Sequence, residues 1–158
     1  MLFRSNIRFA SGEDARKHAF APGNELGKFL ACTRLSSIII GSCVFVHAGI
    51  LKKTMNEIGV KGPNGLYDIN RSVRMWLLGK ISKDNVSQIV GSFKKSMFWT
   101  RVLGSIPAGV NNKDPNCEKY LKPALKLLKV GYMFVGHTPQ FYANHEGING
   151  TCNDALWR

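Results

Sequence analysis

The order of apolar and polar positions predicts strands and helices that alternate along the chain. Apolar runs typical of buried strands occur at Ser37–Ile40, at Cys43–Val46 and at 132–135. The Gly41-Ser42 step between the first two runs indicates a tight hairpin. Helical spacing follows Asn24 and ends near Thr33. Strands interspersed with helices predict one α/β domain over residues 1–158.

Three more helices are predicted between the hairpin and the last apolar run. Asp68 can cap a helix whose apolar stripe includes Ile69 and Val73, and a second helix is expected over 83–93. Pro115 opens a third, amphipathic helix that Pro123 is expected to kink or divide.

Charge narrows the choice of partner. The 158 residues include 22 lysines and arginines against 10 acids, a formal net charge of +12 that favours an anionic partner or substrate such as phosphate. The run at 37–51 is broken by glycine, serine and histidine and is too short to cross a membrane. The first residues do not resemble a signal peptide. We therefore expect an intracellular protein, in the cytoplasm, with no membrane partner.

The cysteines are widely spaced and form no C-x-x-C pair. Neither a zinc ribbon nor a disulfide framework is indicated by this spacing. We expect reduced, mostly buried thiols at Cys32, Cys43, Cys117 and Cys152.

Two predicted strands each lead to a histidine within a stretch of small residues. His47 follows Val46 directly, and His137 follows Val135 and Gly136. Loops beyond the carboxyl ends of strands are where α/β folds assemble their sites, and imidazole suits a divalent transition metal. Either histidine taken alone is better explained as a hydrogen-bonded residue at the edge of a sheet, and it is the pair with its flanking residues that favours a site.

The motifs around these histidines resemble the calcineurin-like metallophosphoesterases, and more narrowly the bacterial-like branch of the phosphoprotein (serine/threonine) phosphatases. Three motifs occur in the family's order, namely His47-Ala48-Gly49-Ile50, Trp99-Thr100-Arg101 and Gly136-His137-Thr138-Pro139-Gln140. Flanking segments match as well, so that the resemblance covers nearly the whole chain: Arg8-Phe9-Ala10-Ser11, 22–26, Ile69-Asn70-Arg71 and Leu156-Trp157-Arg158.

This resemblance implies a phosphatase with two divalent ions (Mn, Fe or Zn) in which a bridging water attacks the phosphorus of a phosphate monoester. His47 and His137 match the two histidines that bind the second metal. Arg101 matches a residue that contacts the substrate phosphate, for which a planar guanidinium with two parallel donors is well suited. A phosphorylated protein is the implied substrate.

The family's first three motifs are absent. Gly-Asp-x-His-Gly, Gly-Asp-x-x-Asp-Arg-Gly and Gly-Asn-His-Glu would bring the first-metal ligands, the bridging aspartate and the histidine acid. Asn144-His145-Glu146 lies after Gly136 and lacks the preceding glycine, so we do not assign it to the third motif. We expect part of a β-sandwich flanked by helices that lacks its N-terminal half. It also ends early, since Leu156-Trp157-Arg158 resembles the start of a strand that continues in the family. No catalytic residue is retained, and a separate chain could carry the missing half.

Two other classes of function compete with a metal-dependent phosphoesterase. The net charge alone would suit a basic module that binds nucleic acid, but no zinc finger, RNP motif or basic stripe supports it. The third possibility is a non-catalytic interaction protein that keeps the phosphatase scaffold. Because two histidines leave most of a metal's coordination unfilled, we expect the isolated chain to bind metal weakly and to have negligible turnover.

Overall fold

The computed structural model describes residues 7–92, 94–141 and 147–158. The α-helices in these ranges are α1 (Gly12–Phe20), α2 (Glu25–Thr33), α3 (Lys52–Glu57), α4 (Gly65–Leu77), α5 (Ser87–Val90) and α6 (Lys122–Leu128). A 3-10 turn at Lys83–Val86 precedes α5, and a π-helical turn at Cys117–Leu121 precedes α6. The strands are β1 (Ser37–Ile40), β2 (Cys43–Val46), β3 (Tyr132–Phe134), β4 (Gly150–Thr151) and β5 (Leu156–Trp157).

The strands form one mixed sheet in the order β1-β2-β3-β5-β4. The central strands β2, β3 and β5 are parallel, and β1 and β4 are antiparallel to their neighbours at the two edges. The α/β class predicted from the sequence is confirmed. The described residues contain a single sheet, so the second sheet of a sandwich stays a prediction.

One face of the sheet carries the hydrophobic core. Alternation along β2 buries Val44 and Val46 while Phe45 faces the opposite side, where it is 37% exposed. Met133 of β3 and Leu156 of β5 are fully buried on the core side, among side chains of the helices. This packing holds the parallel strands in a fixed register, so the loops that follow them are held too.

A disulfide joins Cys117 to Cys152, with 5.8 Å between their Cα atoms. The prediction of reduced thiols was therefore wrong for this pair, because spacing along the chain does not show which distant cysteines the fold brings together. Cys32 and Cys43 are free thiols, the first exposed and the second half-buried.

The helices differ from the prediction mainly at their ends. Helix α4 begins at Gly65, so that Asp68 lies in its first turn and does not cap it. The single helix expected over 83–93 is divided into a 3-10 turn and the short α5. The expected division near Pro123 is confirmed, since this residue stands at the start of α6 after the π-helical turn.

Helix α1 was not predicted, although its start has a recognisable signal. The Ser11 hydroxyl oxygen accepts a hydrogen bond from the backbone N–H of Asp14, which caps the helix. Within the described ranges, no helix combines the length and the apolar character that a membrane crossing requires.

Candidate functional site

The two histidines singled out from the sequence meet at one edge of the sheet. Strands β2 and β3 are parallel, with Phe45 paired to Phe134, so their carboxyl ends lie side by side. His47 follows β2 directly, and His137 lies three residues after Phe134. The backbone N–H of Gly136 donates to the carbonyl of His47 at 2.8 Å, which ties the two loops together. The register of the sheet therefore sets the distance between the histidines.

The imidazole nitrogens face each other closely. Nε2 of His47 lies 3.0 Å from Nδ1 of His137, and the ring centroids are 4.9 Å apart in an edge-on arrangement. Two nitrogens that share one metal ion at about 2.1 Å must lie about 3 Å apart. The two imidazoles are therefore at hydrogen-bond distance in the metal-free chain, and the same separation suits a shared ion.

His137 is held in an unusual environment. Its backbone has a φ of 65°, which turns the chain sharply after β3. Burial, the charge of His47 and the charge of Arg101 lower the pKa of His137, while the nearby backbone of Trp99 partly offsets them. Its Nε2 is buried. These conditions favour the neutral imidazole, which is the form that binds metals.

Arg101 enters the site on the loop that follows residue 96. The backbone N–H groups of Ala48 and Gly49 donate to the carbonyl of Met97 at 3.0 and 3.3 Å, so this loop is held against the His47 loop. The Arg101 side chain is exposed, and its charge acts on His137. The positive charge that acts on His137 would also attract an anion bound beside the histidines. The structure therefore brings all three predicted site residues into one region.

Aromatic rings line the histidine pair. The Trp99 ring lies 5.3 Å from that of His137, and the Phe98 ring lies 5.9 Å from that of His47. The Trp99 side chain is 46% exposed, so its ring lies beside His137 at the surface of the chain. A shallow groove of about 420 Å³ runs from His47 along Phe45 and Phe134.

The histidine pair fits one part of a metal site. Histidine, cysteine, aspartate and glutamate side chains do not form a group of three or more anywhere in residues 7–92, 94–141 and 147–158. Two imidazoles supply half of a tetrahedral coordination sphere, and the rest must come from outside this set. Asn144-His145-Glu146 lies outside the described residues.

The sequence analysis missed a group of buried polar residues behind the site. Gln140, Asn149 and Arg158 are 3%, 6% and 6% exposed and are hydrogen-bonded to one another. Gln140 and Arg158 stood in segments that already resembled the family, but Asn149 gave no signal, because a polar residue near glycines predicts an exposed turn.

Comparisons with known proteins relate the chain to phosphatases. No protein-family model matches. The chain is 37% identical over 149 residues to the uncharacterised protein R398 of Acanthamoeba polyphaga mimivirus, a match that covers 90% of the chain and 59% of R398. It is 30% identical over 149 residues to Shewanella-like protein phosphatase 2 of Arabidopsis thaliana, covering 93% of the chain and 34% of that protein. The chain thus spans 59% of the first relative and 34% of the second, less than two thirds of either.

Solved structures show the same fold. A cold-active protein tyrosine phosphatase solved at 1.1 Å superposes with a TM-score of 0.60 at 20% identity, over 84% of this chain and 34% of the other. The cold-active protein-tyrosine phosphatase of a psychrophilic Shewanella species gives a TM-score of 0.56 at 19% identity, over 78% of this chain and 33% of the other.

These findings describe the proteins that the chain resembles. The chain is distantly homologous to a Shewanella-like protein phosphatase. It shares part of the α/β fold of the cold-active tyrosine phosphatases.

Proposed function

We propose that the chain is the C-terminal half of the catalytic domain of a calcineurin-like metallophosphoesterase, from the bacterial-like branch of the serine/threonine protein phosphatases. The observation that carries the proposal is the 3.0 Å approach of His47 Nε2 to His137 Nδ1 beside Arg101. The similarity of the chain to Shewanella-like protein phosphatase 2 over 93% of its length supports it.

In this proposal, the histidines hold one divalent ion and Arg101 binds the phosphate. His47 would bind through Nε2 and His137 through Nδ1, which leaves the proton of His137 on its buried Nε2. Arg101 would orient a phosphate monoester by two parallel hydrogen bonds. The ions of a complete site would polarise the phosphate and activate water.

We further propose that the isolated chain is inactive. Phosphoryl transfer requires ligands for both ions and charge neutralisation around the phosphate. The described residues contribute two imidazoles and one guanidinium, and no group of three or more histidine, cysteine, aspartate or glutamate side chains among them could hold a metal. The remaining ligands would come from a polypeptide that corresponds to the part of the longer relatives outside the match.

Calorimetric titration with Zn²⁺ and Mn²⁺ tests the metal-binding part of the proposal. We expect one weak site in the unaltered chain. His47→Ala and His137→Ala should each weaken binding by about tenfold or more, because each removes one of two ligands. His18→Ala is the matched control, since His18 is exposed on α1 and should leave the affinity unchanged. Equal affinities in all four proteins would overturn the metal assignment.

Hydrolysis of p-nitrophenyl phosphate in the presence of Mn²⁺ tests the inactivity of the isolated chain. We expect no turnover above the protein-free background. Manganese-dependent hydrolysis that disappears in His47→Ala would show that this chain is a complete enzyme, and the half-site proposal would then be wrong.

A further inference from the structure

Three buried polar side chains, joined by hydrogen bonds, lie behind the candidate site. The Arg158 Nε donates to Oδ1 of Asn149 at 2.9 Å, and Nδ2 of Asn149 donates to Oε1 of Gln140 at 3.3 Å. We call these three residues the polar brace. Each of them is buried, so their hydrogen bonds replace contacts with water that folding removed.

The brace contacts the backbone of two of the three loops that carry site residues. Nε2 of Gln140 donates to the carbonyl of Thr138 at 2.8 Å in the His137 loop, which is residues 136–140. The same nitrogen donates at 3.0 Å to the carbonyl of Gly104 in the Arg101 loop, which is residues 100–107. A single amide group therefore connects the two loops.

Arg158 also contacts three carbonyls of the Arg101 loop, and it shares that of Gly104 with Gln140. Its Nη1 donates to the carbonyls of Leu103 and Gly104 at 3.3 and 3.2 Å, and also to that of Ile106. The structure shows no ion pair for Arg158 in the ranges it describes, and burial lowers the pKa of this residue. A buried guanidinium is stabilised only when its donors are satisfied, so the loop carbonyls must stay in place around it.

The two loops also fit against each other without spare room. A Cβ added to Gly104 would lie 2.3 Å from the Thr138 hydroxyl oxygen, far inside van der Waals contact. Asn149 and Arg158 exchange two backbone hydrogen bonds at 3.0 and 3.1 Å, next to β4 and β5, so the brace is built on the sheet itself. It is a rigid support and not a flexible surface contact.

We propose that Gln140, Asn149 and Arg158 are positioning residues that fix the Arg101 loop relative to His137. The proposal rests on the proposed function, which gives the arrangement its purpose. That purpose is to place a phosphate-binding arginine beside a metal-binding histidine. The arrangement itself can be tested without metal or substrate. None of the three residues touches the ion or the phosphate in this account.

The first test uses nuclear Overhauser contacts in the metal-free chain. The unaltered chain should show contacts between the rings of Trp99 and His137, which lie 5.3 Å apart, and between those of His47 and His137. Gln140→Leu and Arg158→Met should lose the contact of Trp99 with His137, measured well below each variant's melting temperature. Arg158→Lys should restore it in part. Arg34→Met, which alters an exposed arginine bonded to the Thr33 carbonyl, should leave it intact.

The second test uses Cu²⁺ nitrilotriacetate as a probe of the histidine pair, read by electron paramagnetic resonance. The unaltered chain should show two bound imidazole nitrogens. The Gln140 and Arg158 variants should bind about tenfold more weakly or with one nitrogen, the size of effect seen when groups that orient metal ligands are removed.

The outcomes separate the two proposals. If the brace variants lower the melting temperature but keep both ring contacts and the copper signal, the brace is merely structural and the inference is wrong. If the ring contact is lost in the variants while the unaltered chain binds no copper, positioning holds and the metal part of the proposed function fails.

Discussion

Gly49, two residues after His47, has a backbone that few side chains tolerate. Its φ is 149°, and a Cβ there would lie 2.9 Å from Cδ1 of Leu103 and 3.2 Å from Cγ2 of Thr100. Both neighbours flank Arg101 in the chain. Glycine at this position therefore allows the His47 loop and the Arg101 loop to approach each other.

The Gly49→Ala substitution should destabilise the chain by about 1–3 kcal/mol, because it adds both backbone strain and a steric clash. Urea unfolding measures the change. Gly62→Ala is the control, since a Cβ there meets nothing within 4 Å and the backbone is not left-handed. Equal unfolding midpoints for the two variants would contradict the close approach of the loops.

At the scale of secondary-structure elements, the disulfide connects two distant parts of the fold. Cys117 begins the π-helical turn before α6, and Cys152 lies in the turn between β4 and β5. Cys152, Asn153 and Asp154 all have φ values between 54° and 59°, so this turn consists of consecutive left-handed residues. The bond fixes that turn to the helical side of the sheet.

Removing the disulfide should lower the free energy of unfolding by up to about 4 kcal/mol, because the bond closes a loop of 35 residues in the unfolded chain. Urea unfolding of Cys117→Ser against Cys32→Ser measures this, since Cys32 is an exposed free thiol. A thiol titration of the folded chain should detect only Cys32 and Cys43. Four reactive thiols, or equal stability of the two variants, would show that the bond does not form.

The sequence predicted most of the elements that are encoded locally, with α1 as an exception, and it missed the contacts that depend on long-range packing. The hairpin of β1 and β2 and the limits of α2 follow from short-range turn and capping signals, and both are confirmed. The meeting of His47 and His137 was anticipated only through motif order, and their 3.0 Å separation depends on the parallel register of β2 and β3. The disulfide and Asn149 depend on long-range packing, which no local pattern encodes.

At the scale of the whole molecule, the described residues leave one face of the sheet partly exposed. Four apolar side chains lie in one row across paired strands. We call them the apolar row: Ile38, Phe45, Phe134 and Trp157. The rings of Phe45 and Phe134 stack at 4.7 Å, and those of Phe134 and Trp157 at 6.4 Å. An apolar row of this kind is a common cause of association between chains.

The isolated chain should therefore self-associate more strongly as salt increases. The net charge of +12 keeps copies apart at low ionic strength, and salt screens that repulsion while leaving apolar contact intact. Sedimentation at 50 and 500 mM NaCl measures the effect. Phe45→Lys should abolish it, whereas Tyr67→Lys, at a residue 73% exposed on α4, should not. Association that is independent of both salt and Phe45 would contradict this role of the apolar row.

The central claim is that His47 and His137 form half of a phosphatase metal site beside Arg101. A crystal structure of the chain grown with Zn²⁺, with the ion located by anomalous scattering, tests it most directly. The account predicts one ion about 2.1 Å from Nε2 of His47 and from Nδ1 of His137, with the Arg101 guanidinium facing the same cleft. Imidazoles that point to different surfaces, or an ion bound elsewhere in the chain, would contradict it.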